Sequence, residues 1–169
     1  FENQNFCKNS MNWLDLREDF QENNFMNSWC HGAPGIALSR VILYESLVEN
    51  INMKNDLIKA CKTSFDYLEK NYEHLPDHVC CGKLGISLIL KIINNRLADK
   101  NLNLNSKIQL PSKNLFFENK NHFCLMHRNV DPIFQPGLFN GLSGVILSQI
   151  EMQDGLLFSP RILSGGLIK

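Results

Sequence analysis

Three of the six cysteines stand at positions that suit metal binding. Cys30 and the adjacent pair Cys80 and Cys81 lie within two residues before a glycine that opens a G-x-x-G motif, and each motif leads into an apolar run. A thiol at the start of a helix faces free N–H groups and the positive end of the helix dipole, which favour the thiolate. Thiolates are good zinc ligands, and three protein ligands leave one tetrahedral position open. We therefore predict a catalytic zinc site held by Cys30, Cys80 and Cys81.

Other interpretations of the cysteines stay open. Cysteine is often a small buried hydrophobe, and this is our interpretation of Cys7, Cys61 and Cys124. A disulfide between the neighbours Cys80 and Cys81 is a more distant alternative. The chain lacks the cysteine density of a small secreted scaffold, so a metal or a reducing compartment explains the six thiols better.

Among the five histidines, His31 is the candidate catalytic residue because it directly follows Cys30. It could carry a proton, contact substrate, act as a fourth ligand or cap a helix, and we favour the first two roles. His78 precedes Cys80 by two residues and could also reach the metal. The other histidines are expected in solvated loops: His74, His122 and His127.

An internal repeat positions these residues. Three segments align without gaps, and they begin at Cys30, Cys80 and Phe139. Their first glycines are 50 and 59 residues apart: Gly32, Gly82 and Gly141. This spacing accommodates a helix after the motif, a return helix and a loop. We interpret the motif glycines as structural, because they let backbones turn and pack closely.

Apolar periodicity predicts the helices. Residues 36–48 and 86–97 are apolar on most faces, which is typical of buried inner helices. From Asp56 to Tyr72 the apolar residues recur at steps of three and four, which predicts an amphipathic outer helix. Residues 142–150 predict a short third inner helix.

The remaining segments carry weaker patterns. A short helix is expected within residues 11–25, and mostly loop with one outer helix near 115–125 is expected between 101 and 136. Residues 156–169 are expected to form an extended closing segment. No segment shows the period-2 alternation of a strand.

Together these elements predict an all-α fold, a partial α/α toroid of helical hairpins with a G-x-x-G motif at the start of each inner helix. At about 50 residues per hairpin, a ring of six or seven hairpins needs roughly 300 to 350 residues. The chain of 169 residues supplies about half of that. We expect upstream sequence or another chain to cover the open apolar flank, and the first residue, Phe1, agrees with a start further upstream.

Composition excludes several classes of function. The chain has 17 basic and 17 acidic residues and no basic run, which argues against binding to nucleic acid or an anionic membrane. No apolar stretch is long enough to span a bilayer. Walker and G-x-S-x-G motifs are absent from the sequence, as are carboxylate pairs at the repeat ends.

Three strings resemble the C-terminal signature motifs of the lanthionine synthetase cyclases. They are Trp29-Cys30-His31-Gly32-Ala33-Pro34-Gly35-Ile36, His78-Val79-Cys80-Cys81-Gly82-Lys83-Leu84-Gly85 and Gly137-Leu138-Phe139-Asn140-Gly141-Leu142-Ser143-Gly144. The Cys-Cys-Gly string is similar to that of the class II, bifunctional enzymes, in which it replaces the Cys-His-Gly of stand-alone cyclases. The segment Trp13-Leu14-Asp15-Leu16-Arg17 also resembles a class II segment that precedes the first motif.

This resemblance implies an α/α toroid with zinc at the mouth of its cavity, held by Cys30, Cys80 and Cys81, and a substrate thiol in the fourth position. The implied reaction adds a precursor-peptide cysteine thiol to dehydroalanine or dehydrobutyrine and forms a lanthionine thioether ring. Family members also carry an upstream H-G-x-x-G histidine and an aspartate that are credited with proton transfer. Neither the upstream motif nor its aspartate is identified in this sequence, whose one H-G-x-x-G string, His31-Gly32-Ala33-Pro34-Gly35, belongs to the first signature motif itself. His31 is therefore the nearby candidate for a proton donor.

We therefore expect residues 1–169 to be the C-terminal half of a class II lanthionine synthetase C-like cyclase domain, located in the cytoplasm. Its expected partners are a dehydrated precursor peptide and the missing N-terminal part of the cyclase and dehydratase. The alternative is a catalytically incomplete, zinc-stabilised peptide-binding module or remnant. A homologue that adds glutathione to dehydrated peptides is a third possibility.

Overall fold

The computed structural model describes residues 2–16, 25–46, 51–99, 137 and 139–154. Four helices dominate these ranges: α1 (Ala33–Ser46), α2 (Ile51–Asn71), α3 (Lys83–Asp99) and α4 (Leu142–Asp154). Short 3₁₀ turns cover Glu2–Asn5 and Tyr72–His74. The mostly helical structure agrees with the predicted all-α class. The outer helix expected near 115–125 and the closing segment 156–169 lie outside the described residues.

Helix α3 forms the centre of the core. It packs against α1, α2 and α4, and every residue from Lys83 to Leu90 is buried. Its leucines and isoleucines are spread around the helix, so contact with three neighbours removes apolar surface on all sides from water. The predicted inner helix over residues 86–97 is confirmed as a buried helix.

Helix α2 is amphipathic, as its periodicity predicts. One face packs against α1 and α3 and includes the fully buried Leu57, Ala60 and Cys61. The opposite face is charged, with an exposed ion pair of 2.8 Å between Lys62 and Asp66, one helical turn apart. The helix therefore buries a single apolar stripe against its neighbours.

Helices α1 and α4 are less enclosed than their sequences suggest. In α1, Ala37 and Val41 are fully buried, whereas Leu43 is 36% exposed. In α4, Val145 is fully buried next to Ile146, which is 47% exposed. Among residues 33–43 of α1, Leu43 alone is exposed and the others are buried or half-buried, so the expected burial on nearly all sides is confirmed only in part.

A small antiparallel hairpin precedes the helices. Strands β1 (Phe6–Cys7) and β2 (Asn12–Trp13) pair Phe6 with Trp13 and Cys7 with Asn12. The connecting turn includes Met11 at φ 52°, and the rings of Phe6 and Trp13 meet edge-on with centroids 4.9 Å apart. The helix expected within residues 11–25 is therefore absent from 11–16, while 17–24 lie outside the described residues. Trp13 is buried by packing within the hairpin instead of within a helix.

Asn12 connects this hairpin to the start of α1. Its side chain is 2% exposed, and its amide donates to the carbonyl of Met26 at 3.0 Å. Its Oδ1 accepts the backbone N–H groups of Trp13 at 2.9 Å and Ala33 at 3.0 Å. Because the first N–H groups of a helix lack partners within the helix, Asn12 acts as a cap supplied from a distant segment.

None of the helices in the described ranges combines the length and the apolar character that crossing a lipid bilayer requires.

Candidate metal centre

Main-chain hydrogen bonds join the loops that precede α1, α3 and α4. The N–H of Trp29 donates to the carbonyl of Cys80 at 3.0 Å. The N–H groups of Val79 and Cys80 both donate to the carbonyl of Phe139 at 2.9 Å. The rings of Trp29 and Phe139 stack with centroids 4.9 Å apart and planes at 12°. The three repeat segments therefore meet at one end of their helices, as the sequence predicts.

The second glycine of the first two motifs lets each loop fold back onto its helix. A Cβ on Gly35 would lie 2.1 Å from the carbonyl oxygen of Trp29, and a Cβ on Gly85 would lie 1.7 Å from that of Val79. Each approached carbonyl belongs to the residue six positions earlier. Because these contacts are to backbone, a side chain at either position would push the cysteine loop away from the helix. These close approaches are compatible with the structural role expected for the motif glycines.

Two of the predicted zinc ligands are in contact. The Sγ atoms of Cys30 and Cys80 are 3.8 Å apart, although 50 residues separate them in sequence. Two sulfurs bound to one tetrahedral zinc at about 2.3 Å each are themselves about 3.8 Å apart. The pair therefore fits the separation that a shared zinc ion requires, and thiolate sulfur is a donor that zinc prefers.

The third thiol is close to this pair. Cys81 is near enough to Cys30 and Cys80 for each to influence its protonation, and its Sγ also lies 3.7 Å from Nε2 of His78. Across the described ranges, no three Cys, His, Asp or Glu side chains are arranged as a ready-made metal site. The geometry thus fits zinc through a pair of thiols, with Cys81 beside them.

Two of the three thiols, Cys80 and Cys81, have pKa values above that of a free cysteine. Burial, reinforced by the neighbouring Cys30 and Cys81 sulfurs, raises the pKa of Cys80 to about 12. Burial and the charge of Cys30 also raise the pKa of Cys81. The helix-end effect expected to favour thiolates is therefore outweighed by desolvation and by repulsion between like charges. A cation between the sulfurs would reverse this balance.

Ser28 organises the loop around the first cysteine. Its side chain is fully buried, and its hydroxyl lies 3.4 Å from the Sγ of Cys30. The same oxygen accepts the backbone N–H of His31 at 3.1 Å and lies 3.1 Å from the carbonyl of His31. Ser28, which the motif analysis did not identify, therefore contacts the candidate ligand Cys30 and closes its loop.

The ring of His31 is hydrogen-bonded to the backbone of a candidate ligand rather than to its sulfur. Its Nδ1 lies 2.8 Å from the carbonyl oxygen of Cys30, which can only accept, so Nδ1 carries the proton. In the neutral ring, Nε2 then keeps a lone pair that can accept a proton. The half-buried ring is thus held in place at the site's edge.

The structure also describes some of the residues assigned to loops or to the core. His74 is exposed, as predicted, and Cys61 is fully buried with its pKa raised to about 12 by desolvation. Cys7 was expected in the core, but it is only half-buried at the edge of a two-residue strand. Hydrogen bonds to Ser10 and Asn9 lower the pKa of Cys7.

The other predictions about cysteines and histidines have different outcomes. All five described cysteines are free, including the vicinal pair Cys80 and Cys81. The predictions for Cys124, His122 and His127 fall outside the described residues.

A buried ion pair anchors the loop before α3. Nζ of Lys83 lies 2.7 Å from Oδ1 of Asp77, with side chains only 7% and 8% exposed. The same ammonium group donates to the carbonyl of Leu75 at 3.4 Å and lies 5.1 Å from the centroid of the Tyr72 ring. The sequence alone assigned no role to Lys83, which stood out there only as the residue after a motif glycine. A lysine immediately after Cys-Cys-Gly, with an aspartate six residues before it, is the signal that could have been used.

These features define a helical protein with a cluster of converging thiols at the ends of its helices. The sequence profile of the family described as "Lanthionine synthetase C-like protein" matches residues 1–160. The chain therefore belongs to the lanthionine synthetase C-like family, which confirms the resemblance seen in its motifs.

A relative shows the size of the protein in which such a segment occurs. The chain is 28% identical over 158 residues to the lacticin 481/lactococcin biosynthesis protein LcnDR2 of Lactococcus lactis subsp. lactis. The match covers 88% of this chain but only 16% of that relative. No solved structure matches the chain significantly.

Proposed function

We propose that this chain is the zinc-bearing part of a lanthipeptide cyclase. The observation that carries the proposal is the 3.8 Å separation of the Cys30 and Cys80 sulfurs, reached from two different repeats of the family's motifs. In this proposal Cys81 is the third ligand and the fourth position accepts a cysteine thiol of a dehydrated precursor peptide. When bound, zinc lowers the pKa of a thiol so that thiolate exists at neutral pH.

The reaction is an addition in which no atom is lost. The substrate sulfur forms a bond to the β-carbon of dehydroalanine or dehydrobutyrine, and the electron pair of the double bond moves to the α-carbon. The thiol proton must leave sulfur, and a proton must reach the α-carbon. His31 is our candidate proton carrier because its Nδ1–H is held by a carbonyl while Nε2 keeps its lone pair.

The proposal extends to the architecture and to the partners. Residues 1–169 would form the C-terminal half of a class II cyclase domain, an incomplete toroid of helical hairpins. The short coverage of the LcnDR2 relative, 16% of its length, supports a larger multidomain protein as the working unit. The remaining cyclase and dehydratase parts would then be required for ring formation, and the work would take place in the cytoplasm.

The test begins with metal binding by the chain itself. We expect one zinc per chain, and a cobalt-substituted sample with strong sulfur-to-metal charge-transfer absorption. Alanine substitutions at Cys30, Cys80 and Cys81 should each weaken binding strongly. Cys7→Ser is the matched control, because Cys7 lies in the N-terminal hairpin and hydrogen-bonds there to Ser10. Metal binding that survives all three alanine substitutions would contradict the ligand assignment.

A second experiment separates an enzyme part from a peptide-binding module. The N-terminal remainder of a class II synthetase is supplied in trans together with a dehydrated precursor peptide, and thioether formation is followed by mass spectrometry and loss of free thiol. Ring formation that requires the zinc-loaded chain supports the cyclase proposal. Tight binding of the peptide without ring formation supports the zinc-stabilised binding module instead.

A further inference from the structure

The first cysteine loop contains a hydroxyl that can stabilise a thiolate. Ser28 is fully buried, and its hydroxyl oxygen accepts the N–H of His31, three residues later. Its single proton can point either to the carbonyl of His31 at 3.1 Å or to the Sγ of Cys30 at 3.4 Å. A metal-bound thiolate accepts hydrogen bonds and donates none, so Ser28 would donate to the sulfur when Cys30 is a zinc ligand.

The second cysteine loop repeats this arrangement with an imidazole. His78 is 6% exposed, and its Nδ1 accepts the N–H of Cys81, again three residues later, at 3.3 Å. An imidazole nitrogen that accepts carries no proton, so the proton of the neutral ring lies on Nε2. Nε2–H faces the Sγ of Cys81 at 3.7 Å. In this tautomer His78 can donate to the sulfur, and its Nε2 has no lone pair to offer a metal.

Ser28 and His78 also occupy equivalent positions in the repeat. Each stands two residues before the first cysteine of its motif, Cys30 or Cys80. Each closes its loop through the N–H three residues on, and each presents a second polar contact to a thiol. Two unlike side chains at one repeat position therefore make similar contacts, although the sulfur lies two residues after Ser28 and three residues after His78.

We propose that Ser28 and His78 are positioning residues whose hydrogen bonds to the Cys30 and Cys81 thiolates hold the zinc ligands in place and moderate their negative charge. The inference rests on the proposed function, because it requires the thiolates to be metal ligands. Three thiolates exceed the charge of Zn²⁺ by one, and donors to sulfur spread that excess. Groups that orient metal ligands in this way commonly contribute 10- to 100-fold to metal affinity.

The first test compares two variants of nearly identical shape. In His78→Asn, the side chain keeps an oxygen that can accept the Cys81 N–H and an amide that can donate. In His78→Asp, the acceptor is kept and the donor is lost. We expect the zinc affinity of the Asp variant, measured by chelator competition, to be about 10- to 100-fold lower than that of the Asn variant. The charge-transfer band of the cobalt-substituted Asp variant should lie at longer wavelength, since a thiolate without a donor gives up electron density more readily.

The second test uses two buried serines. Ser28→Ala removes the contact with Cys30, whereas Ser87→Ala removes a buried hydroxyl of α3 that donates to the carbonyl of Lys83 at 2.6 Å. We expect Ser28→Ala to lower zinc affinity about tenfold or more and to shift the cobalt band. Ser87→Ala should leave both at the wild-type values. Circular dichroism before metal addition checks that each variant keeps its helices.

The outcomes separate the two proposals. A wild-type chain that binds no zinc overturns the proposed function together with this inference. Zinc binding that depends on the three cysteines but is equal in His78→Asp and His78→Asn, and in Ser28→Ala and Ser87→Ala, overturns only the inference. Affinity losses without a shift of the cobalt band also overturn it, because a purely structural role would not alter the electronic state of the sulfurs.

Discussion

Replacing Gly85 by alanine should separate a cysteine loop from its helix. An ideal Cβ at this position would lie 1.7 Å from the carbonyl oxygen of Val79 and 2.7 Å from its carbonyl carbon. Side-chain carbons essentially never approach another atom closer than 3.0 Å. The loop or the first turn of α3 must therefore move by about 1.3 Å, and neither partner is a side chain that can rotate away.

The cost of this movement can be estimated from the contacts around Val79. Its N–H and that of Cys80 both donate to the carbonyl of Phe139 at 2.9 Å, and a shift of this size would break at least one of these bonds. Each lost bond costs about 0.5–1.5 kcal/mol and overpacking about 1–3 kcal/mol. Alanine also stabilises the folded state by about 0.4–1 kcal/mol, because it restricts the unfolded chain more than glycine does. We expect a net loss of about 0.5–4 kcal/mol, with a midpoint of about 2 kcal/mol, or roughly 1–16 °C in Tm.

Thermal and urea unfolding of Gly85→Ala, followed by far-ultraviolet circular dichroism, measures this loss. Gly137→Ala is the matched control, because a Cβ at Gly137 would meet nothing within 4 Å. The control should lie within about 0.5 kcal/mol of wild type. A Gly85→Ala chain as stable as the Gly137→Ala chain would show that the loop does not fold back onto α3 as described.

Three further predictions concern charges and thiols. Lys83→Met should lower the free energy of unfolding, measured in urea, by about 3 kcal/mol or more, because it removes the ammonium group that lies 2.7 Å from the buried carboxylate of Asp77. The double variant with Asp77→Asn should recover most of this loss. During iodoacetamide labelling near pH 8, Cys7 should react much faster than Cys61. The lowered pKa of Cys7 increases its thiolate fraction, while the pKa of about 12 keeps Cys61 protonated. Equal labelling rates, measured by peptide mass spectrometry, would contradict this prediction. In the trans-complemented reaction, Cys81→His should retain zinc but form rings more slowly. With two thiolates and an imidazole as ligands, the zinc leaves the bound substrate sulfur less electron-rich. Unchanged turnover would refute that reasoning.

The helices were the most predictable part of the fold. The steps of three and four between Asp56 and Tyr72 correspond to the centre and end of α2, which runs from Ile51 to Asn71. The apolar run 86–97 lies inside α3, and 142–150 lies inside α4. Burial of one face, or of all faces, leaves a direct trace in side-chain spacing, so these elements can be read locally.

The N-terminal hairpin could not be read in this way. The apolar residues from Trp13 onward have spacings that a helix would also satisfy, and two-residue strands are too short to show alternation. The side chain of Asn12 decides the outcome, because it bonds to the backbone of Met26 and of Ala33, which is 21 residues away. A partner at that distance leaves no periodic signal in the sequence.

The candidate site also contains features that the sequence could predict and features that it could not. Alignment of the motifs was sufficient to predict that Cys30 and Cys80 meet, because equivalent positions of stacked repeats lie side by side. Extending the alignment by two residues pairs Ser28 with His78, which differ in size and chemistry, so residue identity gives no reason to connect them. What they share is an acceptor for the N–H three residues later and a second polar atom beside a sulfur. Loop geometry, rather than residue type, makes them equivalent, and searches for support around clustered thiols should therefore compare hydrogen-bonding roles at repeat positions.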